Sequence, residues 1–190
     1  MKLRLPLAFA LAITVTTLSG AQSTPIDTAR SKITIHVDKA GFFSFAGDKH
    51  EIVAPIASGT VDEKAGAVEF TIQSAKLQVL DPPLAENKRA EVQKTMLGPL
   101  VLDVAKYPEI KFRSTKAVAA GPNTWDVTGD LTLHGQTHPV TVSVKKENAI
   151  YIGSAKLKQT EFGIAPVTVA GGAVKVKDEL KLDFQIATKQ

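Results

Sequence analysis

The sequence predicts a mostly β protein, a single antiparallel barrel of about eight strands with one short helical insert. Three observations carry that prediction. Apolar side chains recur at every second position from Ile33 to the C-terminus, the period that places one face of a sheet inside and the other in water. Turn signals interrupt the alternation at short spacing, as in an antiparallel meander. One stretch, 84–97, switches to helical spacing.

Taken in order, the chain opens with Lys2 and Arg4, an uncharged run over 5–18, and Ser19-Gly20-Ala21 before Gln22. That is the layout of a secretory signal peptide over 1–21, cleaved after Ala21. The run of about 14 apolar residues is short of the roughly 20 needed to span a bilayer, so no stable membrane anchor is expected. One domain, 22–190, remains, and it is expected in the periplasm or secreted.

Within that domain Ile33, Ile35 and Val37 share a face, as do Val68, Phe70 and Ile72, then Ile110 and Phe112, then Trp125, Val127, Leu131 and Leu133. Val140, Val142 and Val144 continue the pattern, and Leu180, Leu182, Phe184 and Ile186 end it. Reversals are expected at 63–66, Gly121-Pro122-Asn123, Gly135-Gln136, Glu147-Asn148 and Gly171-Gly172. Over 84–97, after Asp81-Pro82-Pro83, charged residues surround Val92 and Met96 at i and i+4, which reads as a short amphipathic helix. A sheet of about eight strands loses its edges by closing, and a barrel of that size holds its own side chains or one small ligand.

Composition excludes several functions. The chain has no cysteine, so neither a disulfide framework nor a thiolate metal site can form. Lys2 and Arg4 leave with the leader, which reduces the formal charge from +4 to +2. The remaining lysines alternate with acids along strands, as in Lys175 to Lys181, and make no nucleic-acid footprint. There is no Gly-x-Ser-x-Gly elbow, no triad motif and no phosphate-cradling glycine loop. His134 and His138 flank an expected turn with no third ligand nearby, too few for zinc. His134 is expected to hydrogen-bond and fix the turn, with His138 on the surface. His36 should face outward, and His50 should lie in a loop. No enzyme activity, metal or cofactor is expected.

Three of the eight phenylalanines, Phe42, Phe43 and Phe45, crowd between Gly41 and Gly47. Such a cluster suits either a barrel-end plug or the wall of an apolar pocket. The inward strand positions are almost all apolar. Phe43, Phe45, Phe70, Ile72, Phe112, Trp125, Leu131, Val142, Leu182 and Phe184 are the residues expected to face the interior, as lumen lining or as packed core.

The centre of the chain carries a resemblance. Tyr107-Pro108 opens a strand, followed by Thr128-Gly129-Asp130-Leu131-Thr132-Leu133-His134-Gly135. With Ile26-Asp27-Thr28-Ala29-Arg30-Ser31 before them and Phe162-Gly163-Ile164 after, these pieces resemble the YceI-like family of lipid- and polyisoprenoid-binding proteins, from about Ile26 to the C-terminus. The resemblance implies a lipocalin-like antiparallel barrel in the periplasm or outside the cell. Its apolar lumen would hold a long isoprenoid or similar lipid.

Two segments depart from the family pattern. Where an Arg-Asp-x-His-Leu-like segment is common, the chain reads Asn87-Lys88-Arg89-Ala90-Glu91-Val92-Gln93. Where an arginine often precedes the Phe-Gly-Ile element by three, it has Gln159 beside Lys158. Arg89 and Lys158 are therefore the candidates for a positive mouth facing a phosphate or carboxylate head group. The expectation is an exported binder of a long-chain apolar ligand, such as a polyisoprenoid, an isoprenoid quinone or a fatty-acid-like lipid. The competing expectation is an exported stress-response or interaction module with a filled barrel and no ligand. Either permits a homodimer.

Overall fold

A computed structural model describes residues 23–40, 49–169 and 174–189. The leader and its cleavage point, the cluster with Phe43 and Phe45, and the Gly171-Gly172 turn lie outside the described residues. In chain order the elements are β1 (Thr24–Pro25), β2 (Lys32–Ala40), β3 (His50–Ala54), β4 (Ile56–Asp62), β5 (Ala67–Gln73), β6 (Gln78–Val79), α1 (Glu86–Leu97), β7 (Glu109–Gly121), β8 (Thr124–Leu133), β9 (Gln136–Glu147), β10 (Ile150–Lys158), β11 (Thr168–Val169) and β12 (Val174–Ala187).

The strands pair antiparallel in the order β1-β4-β5-β7-β8-β9-β10-β12-β2-β3-β6, with β11 on β12. Twelve segments follow eight paths, because four paths are interrupted; one of them is β10 and β11, which pair with the same edge of β12 on either side of residues 159–167. Pro55, which has no N–H for the ladder, separates β3 from β4. A 3-10 turn at Ser74–Lys76 separates β5 from β6. The turn at 28–30 separates β1 from β2, and both segments follow the same edge of β12. Ile26, just past β1, bridges to Thr188, just past β12. The Asp27 N–H donates to the Ala187 carbonyl (2.8 Å) and the Lys189 N–H to the Pro25 carbonyl (2.9 Å). These bonds close the ring through β1 and satisfy edges that would otherwise stay open.

The turns explain the hairpins. His134 and Gly135 both have positive φ, 51° and 74°, the two-residue geometry that matches the twist of flanking strands. The reversal therefore sits one residue earlier than the expected Gly135-Gln136. The β9–β10 turn is Asn148-Ala149, one residue later than the expected Glu147-Asn148, with Asn148 at φ 57°. His50 opens β3 rather than lying in a loop, and its Nδ1 bonds the Asp81 carboxylate at 2.6 Å.

The helix begins two residues later than expected. Met96 is its buried residue, and Val92 packs half-buried one turn earlier. Gln93 binds the free edge of β6: its Oε1 accepts from the Val79 N–H and its Nε2 donates to the Leu77 carbonyl, both at 2.8 Å. Among the described residues no helix is long and apolar enough to cross a membrane.

Register divides the barrel into two halves. Thr124 of β8 lies at the end where the 63–66, Pro122-Asn123 and Asn148-Ala149 turns gather, and Leu133 at the end of the His134-Gly135 turn. The Leu133 end is solid: Leu133, Ile72, Ile110, Phe162 and Ile164 are all buried there.

Candidate functional site

The Thr124 end of the barrel is hollow. A cavity of ≈ 200 Å³ runs down the interior. β5 contributes Val68 and Phe70; β7, Phe112 and Ala117; β8, Trp125, Val127 and Leu131; β9, Val140, Val142 and Val144; β12, Leu182, Phe184 and Ile186. On β8 alone the wall from Trp125 to Leu131 extends about 20 Å at the usual rise per residue. A void of about 150 Å³ lined by Leu, Ile and Phe is enough to stay dry and admit a benzene-sized guest. This one exceeds that size and is open at one end.

Small residues create the space. Position 129 on β8 and position 153 on β10 point inward, and both are glycine. A Cβ on Gly129 would lie 2.4 Å from the Phe112 ring, and one on Gly153 2.4 Å from the Phe184 ring. The tips of the two aromatic rings therefore occupy the space that a side chain at either position would fill. Phe70 stacks on Phe112 with centroids 5.4 Å apart and planes 25° from parallel, which fixes both rings. Further along β10 the inward residues are Tyr151, Ala155 and Leu157.

The mouth holds the polar groups. Glu63, in the turn after β4, reaches across the opening to the β9–β10 hairpin. Its Oε1 accepts from the Lys146 ammonium at 2.5 Å and from the Tyr151 hydroxyl. The Lys146 ammonium also stands 5.4 Å from the centroid of the Tyr151 ring. The bond from Lys146, and then that from Tyr151, hold the Glu63 carboxyl below its ordinary pKa. Burial, and then the bond to Glu63, push the Tyr151 phenol above its ordinary value. The carboxylate stays charged and the phenol stays protonated. Asp62 is buried under the same turn, where it accepts from the Ala65 N–H at 2.9 Å. Lys156 borders the cavity but directs its ammonium outward to Glu179, at 3.5 Å.

Of the residues expected to face the interior, Phe70, Phe112, Trp125, Leu131, Val142, Leu182 and Phe184 line the cavity. Ile72 does not; it pairs with Ile110 and Ile56 in the solid half, below the cavity floor. Arg89 and Lys158 are also absent from the lining. Arg89 sits on α1, and Lys158 is exposed at the end of β10 farthest from Tyr151. The charged groups at the mouth are instead Glu63 and Lys146, joined by Tyr151. Sequence reasoning missed all three, and the signal was weak, since the acid lies 83 and 88 residues from its partners.

The solid end gathers the motif residues. The Tyr107 ring packs against His134, with centroids 4.4 Å apart, and over Gly135. His134 fixes the turn as expected: its Nδ1–H donates to the Phe162 carbonyl at 3.1 Å. His138 is not a free surface group, because its ring meets the edge of Phe162 at 5.3 Å and is half-buried. Phe162 itself is fully buried.

The 3-10 turn Gln159–Phe162 that carries this ring is anchored by Asp178. Its carboxylate accepts from the Thr160 N–H at 2.9 Å and from the Thr160 hydroxyl at 2.7 Å. Those two bonds, the backbone one first, hold the Asp178 carboxyl below 3.8. A depressed carboxylate contributes stability that is present above 3.8 and is lost as pH falls through the lower folded value. Asp178→Asn should therefore lower the denaturation midpoint at neutral pH and converge on the wild type in acid. Urea titrations across that range check this, and a constant offset at every pH would contradict it.

Among the described residues no three His, Asp or Glu side chains converge as a metal site would require. The site is an apolar recess with a polar rim.

Comparison with known proteins agrees with the fold. The YceI-like domain matches residues 25–188. A UPF0312 protein of Vibrio parahaemolyticus is 31% identical over 191 residues, covering 93% of this chain and 95% of the relative. A UPF0312 protein of Pseudomonas savastanoi is 32% identical over 170 residues, covering 82% and 85%. The crystal structure of Burkholderia cenocepacia BcnA superposes with a TM-score of 0.63 at 21% identity, over 86% of this chain and 99% of that one. With the domain matched from β1 to the end of the closing strand and two relatives covered nearly end to end, this chain belongs to the YceI-like family.

Proposed function

We propose that this chain is an exported binding protein, not an enzyme, that holds a long-chain apolar ligand in its barrel lumen for transport, storage or sequestration. The ligand class is a polyisoprenoid, an isoprenoid quinone or a fatty-acid-like lipid. The observation that carries this reading is the apolar cavity, walled on β5, β7, β8, β9 and β12 by aliphatic and aromatic side chains and open at the Glu63 end. Hydrocarbon gains about 0.8 kcal/mol for each CH₂ removed from water, so such a lumen needs no catalytic group to bind a chain tightly. One end of the chain fills the cavity and the rest leads to the mouth. The leader-like N-terminus supports export.

Native mass spectrometry of protein purified gently from a bacterial periplasm, followed by solvent extraction, tests the proposal. A stoichiometric adduct carrying a long hydrocarbon chain is the expected result. Trp125, the only tryptophan in the chain, lines the cavity, so its emission should shift when added prenyl lipid enters. A bare mass, with no response to prenyl lipids or fatty amides, would overturn the carrier reading and favour a filled-barrel interaction module.

A further inference from the structure

We infer that the Glu63–Tyr151–Lys146 cluster selects ligands by their head group, favouring an uncharged hydrogen-bond donor such as an alcohol, an amide or a phenol over a carboxylate or phosphate. This rests on the carrier reading and gives its binding site a polar end.

The chemistry lies in one carboxylate. Glu63 Oε1 is taken by both Lys146 and Tyr151, while Oε2 accepts no hydrogen bond among the described residues. The Glu63 side chain remains 57% exposed, so its free oxygen is reachable from the opening. An ionised carboxylate oxygen only accepts, so it pairs with an O–H or N–H. A phosphate or carboxylate head brings only acceptors and a like charge. The mouth offers it no excess of cation, because Lys146 is already paired with Glu63. Beside the cavity a second recess of ≈ 200 Å³, lined by Thr24, Lys64 and Thr188, meets the first at Val61 and Glu63. It provides room for a head group just outside the lumen. Its own lining carries one acid and one lysine, Glu63 and Lys64, and with Asp62 beside them in the chain and Lys146 bonded to Glu63 the charges at the mouth balance.

Position strengthens the assignment. Glu63 and Tyr151 are both lining residues of the cavity, so a chain seated against Trp125 and Val144 presents its head to them. Arg89 and Lys158, which would have suited an anion, do not line the cavity.

The test is competition against a fluorescent apolar probe with three ligands of one chain length: a prenyl alcohol, the prenyl phosphate and the bare hydrocarbon. The alcohol is expected to bind about tenfold or more tightly than the phosphate, the size of one hydrogen bond to a charged group. Glu63→Gln keeps the shape but puts a neutral amide in the carboxylate's place, and should bring alcohol and phosphate to within a few-fold of each other. Equal binding of alcohol and phosphate by the wild type would overturn the head-group inference and leave the carrier reading standing. Failure of all three ligands, hydrocarbon included, would overturn the carrier reading itself. If Glu63→Gln loses stability, Tyr151→Phe, which frees Oε1 of one donor, should still bind the alcohol ahead of the phosphate. A reversed order there would also overturn the inference.

Discussion

Phe162→Ala is expected to destabilise the protein by about 3–5 kcal/mol, the usual cost of removing a fully buried aromatic ring. The ring is 0% exposed and stands at the centre of the solid end. His138 meets its edge, Leu133 and Ile164 share its core, and its own carbonyl holds His134. Truncation would leave a cavity that backbone cannot close, because the turn carrying Phe162 is fixed on both sides. Asp178 holds its start at Thr160, and Gly163 ends it at φ 70°. Against a total stability of about 5–15 kcal/mol, the loss removes a large share. The urea midpoint should fall with an unchanged slope. Phe162→Leu should recover most of the loss. A cost below about 1 kcal/mol would mean that the solid end does not depend on this ring.

That plug explains why the barrel was legible in the sequence and its cavity only in part. Alternation gave the inward faces of β5, β8, β9 and β12 directly, since large apolar residues occupy every second position there. β10 escaped the pattern. Its inward residues are Tyr151, Gly153, Ala155 and Leu157, and two small ones in the middle erase the apolar period. Those small residues are what a hollow barrel requires, so the signal for lumen space is the same feature that hides the strand. Ile72 carries the opposite lesson. Periodicity assigns it inward correctly, but inward position does not separate core from lining; that depends on how far down the barrel the solid half extends. Arg89 and Lys158 were placed by motif alignment, and motif position says nothing of which end of a strand faces the opening. The rim cluster joins a turn to a hairpin more than eighty residues later, a proximity that only closure of the sheet creates.

Filling the hollow half should weaken ligand uptake by about tenfold or more without unfolding the protein. Ala117 and Ala155 both line the cavity, one on β7 and the other on β10. Ala117→Phe with Ala155→Phe places two rings into ≈ 200 Å³ of existing space. Overpacking a filled core costs about 1–3 kcal/mol through forced rotamers and backbone shifts. Here the added side chains have a void to enter, so thermal stability should stay near the wild type or rise. Binding of a prenyl chain, read by native mass and by Trp125 emission, should weaken by about tenfold or more, because each displaced CH₂ forfeits about 0.8 kcal/mol. Gly153→Phe provides the contrast. Any Cβ there meets the Ser143 carbonyl at 2.3 Å and the Phe184 ring at 2.4 Å, so that substitution should lower stability as well as binding. A doubly filled protein that keeps its melting temperature and still takes up the chain would place the ligand outside the lumen. Loss of uptake with the fold intact ties function to the small residues that keep the barrel hollow.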